Sequence, residues 1–277
     1  MKISIITVTF NCQNTISKTI ESVISQTYKN LEYIVIDGNS NDNTKNIINK
    51  YKENITTFIS ENDNGIYDAL NKGIKLAKGE FIVILHSGDI FYNKSTIEHS
   101  TNEIGNYINT DIFFSNILFI DNIENKRILR KYSSKYFKPY MFRFGFMPAH
   151  TSVIIRKKCF EDIGYYNIEY KIASDFDLLF NFMYLNKIKY KYIDMYFTYM
   201  TIGGISTSGF KSMIKINNEI LCILNKKHEE ALNQLTSFKQ SIKINHVTFR
   251  KNESSRNYCF GRPTRCSQLP PVTCSIK

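Results

Sequence analysis

Hydrophobic positions in the first hundred residues switch repeatedly between unbroken runs and a three-to-four-residue repeat. Ile3 to Phe10 is a run of apolar and β-branched residues, the pattern of a strand buried on both faces. Ile16, Ile20, Val23 and Ile24 then fall on one helical face, with Asn14 placed to cap it. Leu31 to Ile36 predicts a second buried strand. It ends in a polar, turn-forming loop, Asp37-Gly38-Asn39-Ser40-Asn41-Asp42-Asn43. A short helix through Ile47, Ile48 and Tyr51 follows, then a third strand over Ile55 to Ser60. Ile66, Ala69, Leu70, Gly73, Ile74 and Ala77 mark another helix, and Glu80 to Leu85 a fourth strand ending at His86-Ser87-Gly88-Asp89. Strands alternating with helices predict an α/β fold whose parallel sheet is covered on both faces. Ligands of such sheets gather at the carboxyl ends of the strands.

The middle of the chain is less regular. Asp111 to Ile120 and Ala149 to Ile155 read as strands, and Lys189 to Met200 as another, broken by Gly203-Gly204. Ser174 opens a helix with the apolar face Phe176, Leu179, Phe180 and Met183. Ser208 opens one running to Lys227, amphipathic and flanked by Lys211, Lys215, Lys226 and Lys227. Beyond about residue 246 the texture changes. Three of the five prolines and three of the six cysteines lie past residue 255, without periodicity. The expected organisation is therefore one domain over 1–205, with halves 1–100 and 101–205, a helical extension over 206–249, and a disordered or non-native tail over 250–277.

Charge sharpens this picture. Lys and Arg number 36 against 25 Asp and Glu, a net +11, which points to an anionic partner. Six basic residues and one acid fall in 250–277, and no nucleic-acid module is recognisable, so a nucleic-acid partner is not expected. The scattered Cys12, Cys159 and Cys222 read as reduced thiols, and the tail cysteines fit no common zinc spacing. The longest apolar runs, such as Phe81 to Leu85, are too short to span a bilayer, and Lys2-Ile3-Ser4-Ile5-Ile6 is a strand pattern rather than a signal peptide; the expected compartment is the cytoplasm.

Three strand ends carry candidate chemistry: Thr9-Phe10-Asn11, Asp37 and Asp89. In a parallel sheet they share one edge. An aromatic ring there can stack on a base, one carboxylate can accept hydrogen bonds from a nucleobase or ribose, and another can hold Mg²⁺ or Mn²⁺ against a diphosphate. Neither a dinucleotide-binding glycine fingerprint nor a P-loop follows the first strand, which argues against an oxidoreductase.

Five segments, in order, resemble glycosyltransferase family 2: Ile5-Ile6-Thr7-Val8-Thr9-Phe10-Asn11, Glu21 to Tyr28, Val35 to Thr44, Gly65 to Gly73, and Ala77-Lys78-Gly79-Glu80. The resemblance covers roughly residues 1–205. It implies a GT-A nucleotide-diphospho-sugar transferase fold with a mixed, mostly parallel central sheet, and an inverting, metal-dependent hexosyltransferase. The donor it implies is a UDP-sugar (UDP-glucose, UDP-galactose or an N-acetylated relative). The acceptor is an undecaprenyl-diphosphate-linked saccharide of O-antigen or capsule assembly; the Lys-flanked helix from Ser208 is then either an ordinary amphipathic surface helix or a peripheral contact with the anionic inner-membrane leaflet that carries such acceptors. Carried over residue by residue, it implies that Thr9, Phe10 and Asp37 hold the uridine and that Asp63 and Asp68 line the same pocket. It also implies that Asp89 is the ligand for Mn²⁺ or Mg²⁺, Asp175 the catalytic base, and His150 a contact to the diphosphate or metal. Gly203-Gly204-Ile205-Ser206 resembles a further segment near the family's active site. Gly88 departs from the commoner pattern, which carries another acid there.

Plainer readings stand beside these. Asp37 can simply start a turn, Asp68 favours the first turn of any helix, and Asp89 can cap one. Ser174 with Asp177 resembles a capping pair, which leaves Asp175 the freer carboxylate. Phe10 suits a core as well as a stacking platform, and His150 a structural role. His86, His99, His228 and His246 show no ligand spacing. Gly88 leaves a non-catalytic nucleotide-sugar-binding relative as a rival, and the net charge a nucleic-acid binder.

Overall fold

The computed structural model describes residues 1–202 and 212–227. Its chain divides into two units, Met1–Ile220 and Leu221–Lys277. In the second unit the described residues, 221–227, are helical. The expected boundary at 205, most of the 206–249 extension, the 250–277 tail and the segment Gly203 to Ser206 lie outside the described residues.

The first unit is built on one mixed nine-stranded sheet in the order β3 (Thr57–Ser60), β2 (Leu31–Asp37), β1 (Ile3–Thr9), β4 (Phe81–Ile84), β8 (Ile154–Arg156), β6 (Ile112–Ile120), β9 (Tyr190–Thr201), β5 (Ile90–Phe91), with β7 (Ile128–Tyr132) paired to β6. Its N-terminal strands, β1 (Ile3–Thr9), β2 (Leu31–Asp37), β3 (Thr57–Ser60) and β4 (Phe81–Ile84), are mutually parallel. The continuous apolar runs explain this: Ile3, Ile5, Ile34, Val35, Phe81 and Val83 are fully buried, so both faces of the strands need cover. Each such Ile or Val contributes roughly 1.5–3 kcal/mol over leaving it exposed. Helices α1 (Ile16–Ile24), α2 (Thr44–Asn49) and α3 (Ile66–Leu76) supply that cover. α1 buries Ile16, Thr19, Ile20 and Val23, the expected face, but it starts after Thr15 rather than on an Asn14 cap.

The second half adds the antiparallel pairings. β6 (Ile112–Ile120) runs antiparallel to β8 (Ile154–Arg156) and parallel to β9 (Tyr190–Thr201), close to expectation. The strand expected from Ala149 is shorter than its apolar residues suggest. His150–Ser152 forms a 3₁₀ turn, which the Ser152 hydroxyl holds by donating to the Ala149 carbonyl at 2.8 Å. Weakly patterned elements escaped the sequence reading: β5 (Ile90–Phe91), α4 (Thr96–Gly105), the exposed edge strand β7 (Ile128–Tyr132) and α5 (Lys157–Ile163). α6 (Ser174–Leu179) runs into a π-helical turn, Phe180–Leu185. Residues 212–220 are helical.

Candidate active site

Parallel register brings the predicted strand ends together. Thr9 lies directly opposite Asp37, and Asp37 opposite Ser60. Beyond β4, Ser87 continues the ladder by donating to the Val8 carbonyl, and the Thr9 and Ser87 hydroxyls meet at 3.4 Å. Thr9, Asp37 and the Ser87-Gly88-Asp89 turn therefore form one edge.

Within that edge the residues differ in availability. Phe10 is 58% exposed, which removes the core reading. Asp37 is fully buried, and its carboxylate accepts from the Ser40 backbone N–H and hydroxyl and from the Ser60 hydroxyl. It forms the floor of the edge and ties its loops. Asp63 stands over Gly38: a Cβ on Gly38 would come 2.6 Å from Asp63 Oδ2 and 3.4 Å from the Phe10 ring. Glycine is what lets Phe10 and Asp63 face each other here. Asp68 turns back on its own helix, accepting from the Asn64 N–H at 3.0 Å and lying 3.5 Å from Lys72 Nζ.

The Ser87-Gly88-Asp89 turn is clasped from both sides. Gly88 N–H donates to Thr19 Oγ1, Thr19 Oγ1 donates to the Asp89 carbonyl, and Thr201 Oγ1 donates to the Gly88 carbonyl. Gly88 has φ +101°, a region L side chains rarely adopt, and a Cβ would meet Thr201 Oγ1 at 3.3 Å. The missing acid at this position thus has a conformational reason. Asp89 itself is 4% exposed, its Oδ2 has no hydrogen-bond partner, and burial pushes its carboxyl up to about 8. An orphaned buried carboxylate oxygen at this strand edge fits a hard cation, whose remaining oxygens would come from ligand and water. Among the described residues no group of three His, Cys, Asp or Glu converges on one point, so the protein's share of such a site is small.

His86, treated as ordinary from spacing, opens a path across the molecule. Its ring stacks on His150, centroids 5.7 Å apart, and its Nδ1 is buried without a partner. Burial first, then the neighbouring imidazole, holds His86 down to about 3; burial alone holds His150 to about 4. Both rings are neutral at pH 7. His150 Nε2 is hydrogen-bonded to the Tyr166 hydroxyl at 2.6 Å, and Tyr166 stacks on Tyr67 at 5.5 Å. Asn71 of α3 fixes Tyr166 by bonding both its carbonyl and its N–H. The Tyr67 hydroxyl donates to the Ile172 carbonyl at 2.5 Å and lies against Asp175.

Asp175 is partly buried at the start of α6. Burial pushes it up to about 6; the Phe176 N–H and the Tyr67 hydroxyl oppose that, and the charge of Glu219 adds to it. The capping pair expected of Ser174 and Asp177 does not form. α6 has no side-chain N-cap, and the Ser174 hydroxyl is buried without a partner. Glu219 does the work from far along the chain. Its carboxylate accepts from the backbone N–H groups of Lys171, Ile172 and Ala173 at 3.2, 2.9 and 2.9 Å. Local pattern favoured a short polar pair; an ionised acceptor for three N–H groups is the stronger arrangement.

The family model described as glycosyl transferase family 2 matches residues 4–164, more than half of the chain. The chain belongs to glycosyl transferase family 2. This glycosyltransferase is 30% identical over 234 residues to the Escherichia coli UDP-Glc:alpha-D-GlcNAc-diphosphoundecaprenol beta-1,3-glucosyltransferase WfaP, an alignment spanning 83% of this chain and 90% of that one. It is 31% identical over 192 residues to an uncharacterized glycosyltransferase of Rickettsia typhi, covering 67% of this chain and 60% of that protein. Among solved structures, S. aureus TarS superposes with a TM-score of 0.60 at 23% identity, over 79% of this chain and 39% of TarS. The Pyrobaculum calidifontis mannosyltransferase in complex with GDP-Man and Mn²⁺ gives 0.56 at 14% identity, over 74% of this chain and 58% of that one. These likenesses show the GT-A fold.

Proposed function

We propose that this family 2 enzyme transfers a hexose from a UDP-sugar to a saccharide carried on a lipid diphosphate in surface-polysaccharide assembly, inverting the anomeric centre. The candidates for the sugar are glucose, galactose and an N-acetylated relative. The E. coli relative, covered over 90% of its length, supports both donor and acceptor classes through its name. An S. aureus TarS fragment crystallised in complex with UDP-GlcNAc shares the fold at a TM-score of 0.59, with 24% identity over 76% of this chain and 62% of that one.

In this reading Phe10 stacks on the uracil, Thr9 and Asp63 face the nucleoside, and Asp37 braces the loop beneath. Asp68 holds the entry to α3 through Asn64 and Lys72. Asp89 is the protein ligand for Mn²⁺ or Mg²⁺, which when bound neutralises charge on the departing diphosphate. His150, neutral and tied to Tyr166, borders the same space. Asp175 takes the proton from the acceptor hydroxyl as its oxygen attacks the anomeric carbon and the bond to the nucleoside diphosphate breaks. Attack opposite the leaving group turns an α-linked donor into a β-linked product.

The observation that carries this reading is the unbroken line of contacts from the Asp89 turn through His86, His150, Tyr166 and Tyr67 to Asp175. A non-catalytic sugar-nucleotide binder loses its main motive, because Gly88 is explained by its backbone. The test is a thermal-shift screen of nucleotide sugars with and without Mn²⁺, followed by transfer assays with the best donor. One UDP-hexose should stabilise the protein most, and more with Mn²⁺. Stabilisation by no donor, or transfer undiminished in Asp175→Asn, overturns it.

A further inference from the structure

Between β7 and the 3₁₀ turn at His150 the chain makes a loop with its ends tied. The Ser134 hydroxyl accepts from the Ala149 N–H, and the Tyr132 hydroxyl donates to the Met147 carbonyl. Two rings point inward. Phe137 and Phe142 pack edge to face at 5.0 Å, and Phe142 sits 5.5 Å from Phe176 of α6, beside Asp175. The other four aromatics point out. Tyr136 is 81% exposed, Tyr140 59%, Phe144 71% and Phe146 57%. β7 adds Ile128 and Leu129, each nearly half exposed. Large apolar side chains gathered on a surface mark an interaction site.

Charge narrows the partner. From Asn125 to Phe160 the chain has ten Lys or Arg and no Asp or Glu. Some of these cations have acidic neighbours from packed elements: Arg127 pairs with Asp121, and Lys135 with Asp194. Lys131, Lys138 and Arg143 are exposed, and no ion pair involves them among the described residues. An open groove of about 570 Å³ beside Pro139 and Tyr140 continues the character with Lys187, Lys189 and Tyr190. Aromatic rings interleaved with unneutralised cations suit a surface that is anionic outside and apolar beneath.

We propose that the 135–148 loop, with the exposed face of β7, seats on an anionic phospholipid bilayer. The cations meet the headgroups, and Tyr136, Tyr140, Phe144 and Phe146 enter the headgroup–acyl boundary. Phe137 and Phe142 hold the seat rigidly to α6. A peripheral leaflet contact is already expected of such a transferase; the new step is to place it on this loop rather than on the helix from Ser208, and its failure is separable from that of the transferase reading, because binding is read on vesicles with no sugar present.

The chain contains no tryptophan, so Phe144→Trp installs a single reporter. With the 277-residue chain and phosphatidylglycerol-rich vesicles, its emission should shift to the blue and be quenched by brominated acyl chains. The same reporter at Ile108, exposed but outside the loop, should do neither. The triple variant Lys131→Gln/Lys138→Gln/Arg143→Gln should lose on the order of a hundredfold in vesicle affinity at low salt. Tyr136→Ser/Phe144→Ser/Phe146→Ser should weaken binding while keeping the far-UV spectrum of the parent. The proposal is overturned if neither triple variant changes vesicle binding, since the basic tail would then suffice. It is equally overturned if the Trp reporter stays in water, or if the loop variants abolish self-association or RNA retention and leave vesicle binding intact.

Discussion

The edge formed by β1, β2 and β4 and the region around Asp175 hold acidic groups by opposite means. On the first, strand register places the residues, and at Asp37, Asp63 and Asp68 neighbours close in sequence help finish the job: Ser40 serves Asp37, Gly65 serves Asp63, Asn64 serves Asp68, while the Asp89 turn alone is clasped from afar by Thr19 and Thr201. Around Asp175 almost nothing is local. Glu219 holds its loop, Tyr67 of α3 touches its carboxylate, and Phe142 packs under its helix. A site assembled from neighbours is robust to distant change; one assembled from far-apart segments responds to all of them.

The sharpest way to break this contrast is at Asp175 itself. Asp175→Asn should lower transfer by about 10²–10⁴-fold while UDP binding by calorimetry is unchanged. A base of the kind we propose works ionised, and the Asp175 carboxyl sits at about 6, so kcat/KM of the wild type should fall as pH drops through about 6 and level off above it. Glu219 comes next. Glu219→Ala leaves three N–H groups without their acceptor, one exposed and two part-buried, and should reduce kcat by roughly tenfold, since a hydrogen bond to a charged group is worth about 1.5–3 kcal/mol. Glu219→Gln removes the charge that raises Asp175, so the acidic limb should move to lower pH, a readout that a purely structural role would not shift. A smaller effect belongs to the edge. Gly88→Asp should cost about 1–3 kcal/mol in urea unfolding because φ is positive there, and should not improve metal response. The smallest is Gly38→Ala, which pushes Asp63 aside: a few-fold weaker UDP binding, on the order of 1 kcal/mol, with little change in Tm.

Much of the edge was legible in the sequence because β-branched runs end where the chemistry begins. Ile3 to Thr9 and Leu31 to Asp37 predict both strand and site. Tyr67 lay within a matched segment, next to Asp68, yet nothing local marks it as the residue that reaches Asp175. His86 directly precedes Ser87-Gly88-Asp89, but a pairing with His150 depends on β4 and the turn before β8 lying side by side. Glu219 left no trace, since an acid on an amphipathic helix is ordinary until its partners are known. The short elements β5, β7 and α5 were missed because two to seven residues hold too little periodicity to register.

Helix α3 is common to both regions. Its first turn receives Asn64 and Gly65 from the loop facing Phe10, while Tyr67 and Asn71 lean on Tyr166 and the Asp175 loop. A rod of eleven residues, about 16 Å long, moves as one piece. Because one rod carries both sets of contacts, a displacement at its first turn reaches the Asp175 loop, so a substitution at either end should register at the other.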